Sequence, residues 1–280
     1  MINLDAIIET VEGLLAQSSA QATTYAALEC RLAIEKVCYE RLKIAHDYIA
    51  HDDLRRWQPR DVVETLIAEV DGRIDSGFTL SISREPCAQG SSKPPADDDW
   101  VVVGTQAGLD PKKLGSLWHA LSNLALHVRL PRTRDEEISA YGDEREVRAK
   151  VKETLAELKR LAEGSLISTG FSRAGEVSFM CECGQLNKKR IELLGNGQTV
   201  SCVRPDCVES YVATIEGDDI YFERRKLTFQ CACGDTLAVQ TRVVEKLRRD
   251  QQLSVQCECG GNVKVVWRLE KASFPKDYSA

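Results

Sequence analysis

The sequence predicts an α+β protein: an N-terminal helical bundle with a small β-hairpin insertion, followed by a tandem of short β-structures built around cysteines. Three observations predict it. Apolar residues recur at helical spacing through much of the chain up to about residue 163. Two period-two runs, "SGFTLSISRE" and "DWVVVGTQ", interrupt that pattern. Eight of the 11 cysteines then fall in four close pairs within the last hundred residues, among alternating segments and glycine turns.

Taken in order, Leu4, Ile7, Ile8, Val11, Leu14 and Leu15 form one helical stripe. A longer stretch, residues 22–49, places Tyr25, Leu28, Leu32 and Cys38 or Tyr39 on another, so two packed helices are expected. Pro59 stands near the start of a third amphipathic run, "RDVVETLIAEV", where a first-turn amide has no partner to lose. The two period-two runs read as strands, joined by the polar loop "PCAQGSSKPPADDD". Helix returns in "DPKKLGSLWHALSNLALHV", with Asp110 as N-cap, Pro111 at the first position and Pro131 closing it. A charged stretch from Asp135 to about Glu163 follows as a surface helix, with Val147, Val151, Leu155, Leu158 and Leu161 on one face and Gly164 at its C-terminal cap. The texture changes between residues 165 and 173. The expected domains are 1–168 (helical), 169–220 and 221–280.

At 280 residues the chain is long enough to bury a core without staples. Apolar residues make up 43% and charged residues 29%, which separates it from disordered compositions. No apolar run approaches the roughly 18 residues that cross a bilayer. The N-terminal stripe carries acids and no basic flank or small-residue cleavage site, so it reads as a helix rather than a signal peptide. The expectation is a cytoplasmic protein with no membrane partner. Net charge is −6; up to Gly170 there are 21 basic against 28 acidic residues, and 16 against 15 after it. Such a balance excludes a chain-wide nucleic-acid footprint and leaves only local patches.

The cysteine pairs are Cys181/Cys183, Cys202/Cys207, Cys231/Cys233 and Cys257/Cys259, while Cys30, Cys38 and Cys87 stand alone. In a reducing compartment, clustered thiols are more often metal ligands than disulfides. In sequence order the first two pairs are separated by 18 residues and the last two by 23, room for strand, turn and return strand. One phrase recurs: "VSFMCECGQ", "LTFQCACGD" and "LSVQCECGG" each run a strand into Cys-x-Cys-Gly. Glycine there lets the chain turn so that amides face thiolate sulfur. Zinc takes four soft donors in a tetrahedron, and four thiolates leave no position for water or substrate. Two structural Zn2+ sites are therefore expected in tandem β zinc ribbons, with another ligand pairing or redox thiols as alternatives. The single residue between cysteines departs from the commoner two-residue knuckle. "NGQ" at residues 196–198 suits a hairpin turn, and "TRVVEKLRRDQQ" either a strand pair or a short helix.

Basic clusters accompany these hairpins: Lys188, Lys189 and Arg190; Arg224, Arg225 and Lys226; Arg248 and Arg249, with Tyr221, Phe222 and Trp267 nearby. Basic residues interleaved with aromatics are able to grip a phosphate backbone and stack bases. The bland alternative is a set of solvated strand faces balanced by neighbouring acids.

"YAALECRLAIEKVCYERLKIAHDYI" and "KKLGSLWHALSNLALHVRLP" resemble the HEPN superfamily of helical bundles over about half of the helical part. The resemblance implies a homodimer and metal-independent RNA cleavage by an Arg-x(4 to 6)-His motif, in toxin or antiphage systems. There a histidine moves the proton of the ribose 2'-OH and an arginine stabilises the charged transition state. Arg41 and His46 have the spacing, with Leu42 where the family often has a polar residue. His127 matches the family histidine by position, with Ser122 and Asn123 where an arginine is wanted and Arg129 nearby; His119 beside Trp118 reads as packing. No Walker loop, Gly-x-Ser-x-Gly elbow or His-Glu-x-x-His helix is present. Two readings follow: an RNA-interacting protein with an endoribonuclease site, or a non-catalytic module that meets a protein partner.

Overall fold

In the computed structural model the described residues are 3–50, 54, 58–84, 100–128, 131, 133–136, 138, 142–166, 175–249 and 251–267. The loop expected between the two strands, with Cys87, and Arg129 lie outside them. Helices and small sheets alternate in an α+β arrangement, and the chain divides into two compact units: residues 1–177 with 188–193, and residues 178–187 with 194–280.

The first unit is built on α2 (Ala20–Ile44), which packs against α1 (Leu4–Ala16), α3 (Pro59–Glu69), α4 (Pro111–Ala125) and α5 (Glu144–Ala162). Small residues make this possible. Apart from Arg41 on its last turn, the buried face of α2 is Ala22, Thr23, Ala26, Ala27, Cys30, Ala33, Ile34 and Cys38, so neighbouring helices approach closely. Into it pack Val11 of α1, Val62 and Leu66 of α3, Leu117 and Leu121 of α4, and Val151 and Leu158 of α5. Cys30 and Cys38 serve as small hydrophobes; burial pushes both thiols up to about 12.

Caps set the helix starts. Ser19 Oγ accepts from the Ala22 amide, and Asp110 and Asp143 each accept from two amides at the starts of α4 and α5. Two boundaries differ from the sequence expectation. α2 stops at Ile44, because Tyr48, Ile49 and Ala50 are buried in the turn beyond it. α5 begins at Glu144, not near Asp135, where Asp143 supplies the cap. Gly164 is absent from the positive-φ residues, so it is no left-handed cap. A Cβ there would lie 3.1 Å from the Ala107 amide nitrogen and 3.3 Å from the Leu161 carbonyl, so glycine serves close approach.

β1 (Phe78–Ser83) and β2 (Trp100–Gln106) form an antiparallel pair with an irregularity after Leu80. Residues 188–193 also belong to this unit: Lys189 Nζ meets Glu69 at 2.6 Å, Glu176 meets Lys188 at 3.1 Å and Arg190 at 3.7 Å, and Arg190 lies over the Tyr48 ring.

In the second unit, paired strands carry most of the chain. β3 (Glu176–Met180) pairs with β4 (Leu186–Arg190), residues 178–180 and 186–187 of them in this unit, and β5 (Thr199–Ser201), β6 (Ser210–Glu216) and β7 (Asp219–Arg224) form a three-stranded antiparallel sheet. Two hairpins follow, β8 (Lys226–Gln230) with β9 (Thr236–Gln240) and β10 (Gln252–Gln256) with β11 (Asn262–Val266). The "TRVVE" segment between them is a short helix, α6 (Thr241–Glu245). Among the described residues, the buried apolar side chains of this unit other than cysteine are Leu194, Val200, Val203, Tyr211, Ala213, Val239 and Val244. That is a small core, and the cysteines complete it. Among the described residues no helix is long and apolar enough to cross a membrane.

Candidate metal centres

Three hairpin tips share one geometry. In each Cys-x-Cys-Gly turn the glycine has positive φ, +81° at Gly184, +95° at Gly234 and +86° at Gly260. Its amide donates to the carbonyl of the first cysteine at 2.8 to 2.9 Å. The first cysteine's own amide donates to the carbonyl four residues on, in Gln185, Asp235 and Gly261. The amide of that last residue turns inward and donates to the second cysteine's sulfur; at Gly261 the distance to Cys259 Sγ is 3.3 Å. The repeated phrase therefore encodes a turn whose backbone donors face sulfur, where negative charge is to be held. The Cys202–Cys207 loop reaches the same end differently, with the Arg204 amide on Cys202 and the Glu209 amide on Cys207.

The tips meet in pairs. Cys181, Cys183, Cys202 and Cys207 form one quartet and Cys231, Cys233, Cys257 and Cys259 another, with all sulfurs of a quartet within 4.8 Å of one another. The sulfurs of Cys181 and Cys207 and those of Cys183 and Cys202 are 3.7 Å apart, those of Cys231 and Cys259 3.6 Å, and those of Cys233 and Cys257 3.7 Å. A disulfide needs about 2 Å. A tetrahedron with metal–sulfur bonds of about 2.3 Å has edges of about 3.8 Å, so the donors fit a tetrahedral soft-ligand ion. Four sulfurs this close cannot all ionise without a cation. Burial raises the Cys207 thiol to about 11. The same burial works against Cys183, yet the Gln185 amide and the neighbouring thiols outweigh it and hold that group at about 7.

The surroundings of the quartets differ. Around the first, Phe179 stacks on Phe222 at 4.2 Å and meets the Tyr211 ring edge-on at 4.8 Å, while Tyr211 Oη donates to Cys181 Sγ at 3.3 Å. Asn187, fully buried, ties the two cysteine loops together: its Nδ2 donates to the Gln185 carbonyl and its Oδ1 accepts from the Val203 amide, both at 2.8 Å. Around the second quartet, Cys233 and Cys259 are exposed, and Asp235 Oδ2 lies 3.3 Å from Cys233 Sγ and 3.6 Å from Cys257 Sγ. Sequence reading missed Asn187, Tyr211 and Asp235 as partners of the quartets. The one local signal was an asparagine in a strand, a residue strands disfavour.

None of the other candidate residues belongs to either quartet. Arg41 is buried on the last turn of α2, in the wall of a cavity of about 390 Å3 with Val37, Glu40 and Leu161; desolvation lowers its guanidinium to about 10. His46 lies beyond the helix end, largely exposed, 2.9 Å from Asp47. α2 ends at Ile44, so Arg41 and His46 have the spacing of the motif but do not share a helix. His127 is exposed just past α4, and His119 is exposed and edge-on to Trp118.

Of the basic residues, Lys188, Lys189 and Arg190 are held in the ion pairs described above. Arg224 is bidentate on Glu209, which also accepts from Gln240 at 3.2 Å, and Arg225 meets Glu245 at 2.7 Å. Lys226, Arg248 and Arg249 are exposed. No protein-family model, curated protein or solved structure matches the chain.

Proposed function

We propose that the chain is a zinc-binding interaction protein, in which two four-cysteine Zn2+ sites hold tandem zinc ribbons that meet a protein partner. The observation that carries this reading is the pair of thiol quartets, each with its four sulfurs within 4.8 Å of one another. Four thiolates close each site, so the ions act in folding and leave no position for a reacting water. Exposed apolar side chains on the same unit, Met180, Tyr221, Leu227 and Trp267 among them, suit a protein surface. Tyr221 stands between Asp219 and Glu223, which share its exposed side of β7 and repel phosphate. The helical unit, HEPN-like by its sequence resemblance, serves association in this reading. The burial of Arg41 and the exposure of His46 support a bundle without a working Arg-His pair.

The full-length protein, tagged and purified from cytoplasm, tests the reading. A protein partner that stays bound after nuclease treatment and at high salt is the expected result. Cleavage of labelled RNA that is lost in both Arg41→Ala and His46→Ala variants would overturn it.

A second reading, RNA binding, is favoured by one observation: Lys226, Arg248 and Arg249 are exposed, with no ion pair among the described residues. It predicts binding to single-stranded RNA at low salt that weakens steeply as salt rises, and weakens further when Arg248 and Arg249 become glutamate.

A further inference from the structure

The two quartets are unequal, and the inequality has a chemical direction. At the first, Cys181, Cys202 and Cys207 are buried, an aromatic wall stands beside them, and the Tyr211 hydroxyl donates to sulfur. At the second, Cys233 and Cys259 are open to solvent, one on each hairpin tip. Asp235 occupies the position that Gln185 holds in the first turn and Gly261 in the third, so its backbone duty is shared but its carboxylate is not. A divalent ion with four thiolates already carries two negative charges. The Asp235 side chain lies within 3.6 Å of two of those sulfurs, and negative charge beside them weakens the site and raises electron density on sulfur.

We propose that the second quartet is an oxidation-sensitive metal site, at which a peroxide-class oxidant converts two zinc-bound thiolates to a disulfide and releases the ion. This rests on the reading of both quartets as zinc sites. The exposed thiolate of Cys233 or Cys259 attacks one peroxide oxygen, the O–O bond breaks, and hydroxide leaves with the bonding pair, giving a sulfenic acid. The neighbouring thiolate, Cys257 at 3.7 Å or Cys231 at 3.6 Å, then attacks that sulfur and expels a second hydroxide. Two thiolates lose two electrons in total, hydrogen peroxide gains them, and the new S–S bond removes two of the ion's four ligands. The first quartet, with three cysteines buried and Cys183 half-buried, keeps its ion.

The test uses the full chain purified under reducing conditions, in two stages. Elemental analysis comes first: fewer than two zinc ions per chain sinks the zinc reading itself, before any oxidant is added. Hydrogen peroxide is then titrated in, with released zinc followed by a chromogenic chelator and disulfides mapped by mass spectrometry. The expected result is release of one ion about tenfold faster than the other, with disulfides confined to Cys231, Cys233, Cys257 and Cys259. Asp235→Asn should slow that release about fivefold by removing the charge while keeping the backbone donor. Release of both ions at one rate, disulfides first in the Cys181–Cys207 quartet, or an Asp235→Asn variant that releases zinc as fast as the parent would each overturn the proposal.

Discussion

Asn187→Ala isolates what holds the first quartet together. Asn187 is fully buried and makes two hydrogen bonds of 2.8 Å, one to the carbonyl of Gln185 and one from the amide of Val203. Those two residues belong to different cysteine loops. The Gln185 amide donates to Cys183 sulfur, and Val203 directly follows Cys202. Alanine leaves a buried carbonyl and a buried amide without their partner, at about 1–3 kcal/mol each. A total near 2 kcal/mol, the low end, already corresponds to about a 30-fold change in an equilibrium constant. Because metal binding and folding of such a unit are coupled, the loss is expected in zinc affinity, where changes around metal ligands typically cost about 10- to 100-fold. The assay is zinc competition against a chelator of known affinity, with the two quartets separated by a parallel Cys231→Ser/Cys233→Ser background. An Asn187→Ala protein that holds zinc within about twofold of the parent would refute the argument that this side chain joins the two loops.

Three further outcomes are expected. Chelation of the metal under reducing conditions should abolish the near-ultraviolet signal of Phe179, Tyr211 and Phe222 in the second unit, while helical ellipticity from α1 to α5 persists; a second unit that stays folded without metal contradicts the small core described for it. Glu157 is a pH-dependent element of the first unit, almost fully buried and held by Lys113 at 2.5 Å and Arg160 at 2.5 Å. Burial alone would raise its carboxyl, but the hydrogen bonds from Arg160 and Lys113 outweigh that and keep it below the ordinary range. A depressed folded-state value stabilises above the ordinary glutamate pKa of about 4.3, and the stability is lost as pH falls through the folded value. Glu157→Gln should therefore cost about 1–3 kcal/mol at neutral pH in denaturant unfolding, discounted by the exposure of both cations, with the difference closing in acid; an equal difference at every pH would count against the assignment. Gly184→Ala meets no steric obstacle, yet its φ of +81° costs a side chain about 1–2 kcal/mol, read as a lower melting temperature of the metal-loaded second unit, and an unchanged melting temperature would speak against that turn.

The legible parts of this protein are those written in local spacing. Cys-x-Cys-Gly recurs because one turn geometry recurs, and the positive φ of Gly184, Gly234 and Gly260 follows from the same chemistry that makes glycine necessary there. Asp110 and Pro111 announce the start of α4, since a cap and a donor-less residue are each useful at that position. The less legible parts depend on partners distant in sequence. Nothing around Lys189 indicates that Glu69 will meet it, nor around Arg224 that Glu209 will, so clusters that read as open basic patches are in large part internal ion pairs. The end of α2 was hidden for the same reason: residues 45–49 are compatible with helix, and only the burial of Tyr48 and Ile49 turns them away. Gly164 looked like a cap by position, whereas its role comes from the Ala107 backbone, which sequence order does not bring near.

The proposed function stands on two structural zinc ions, one in each thiol quartet. The most direct test is elemental analysis of the full-length chain purified under reducing conditions, beside the Cys181→Ser/Cys183→Ser and Cys231→Ser/Cys233→Ser variants. About two zinc ions are expected in the parent and about one in each variant. A zinc-free parent that remains folded, iron in place of zinc, or a variant that keeps the parent's full zinc content would contradict it.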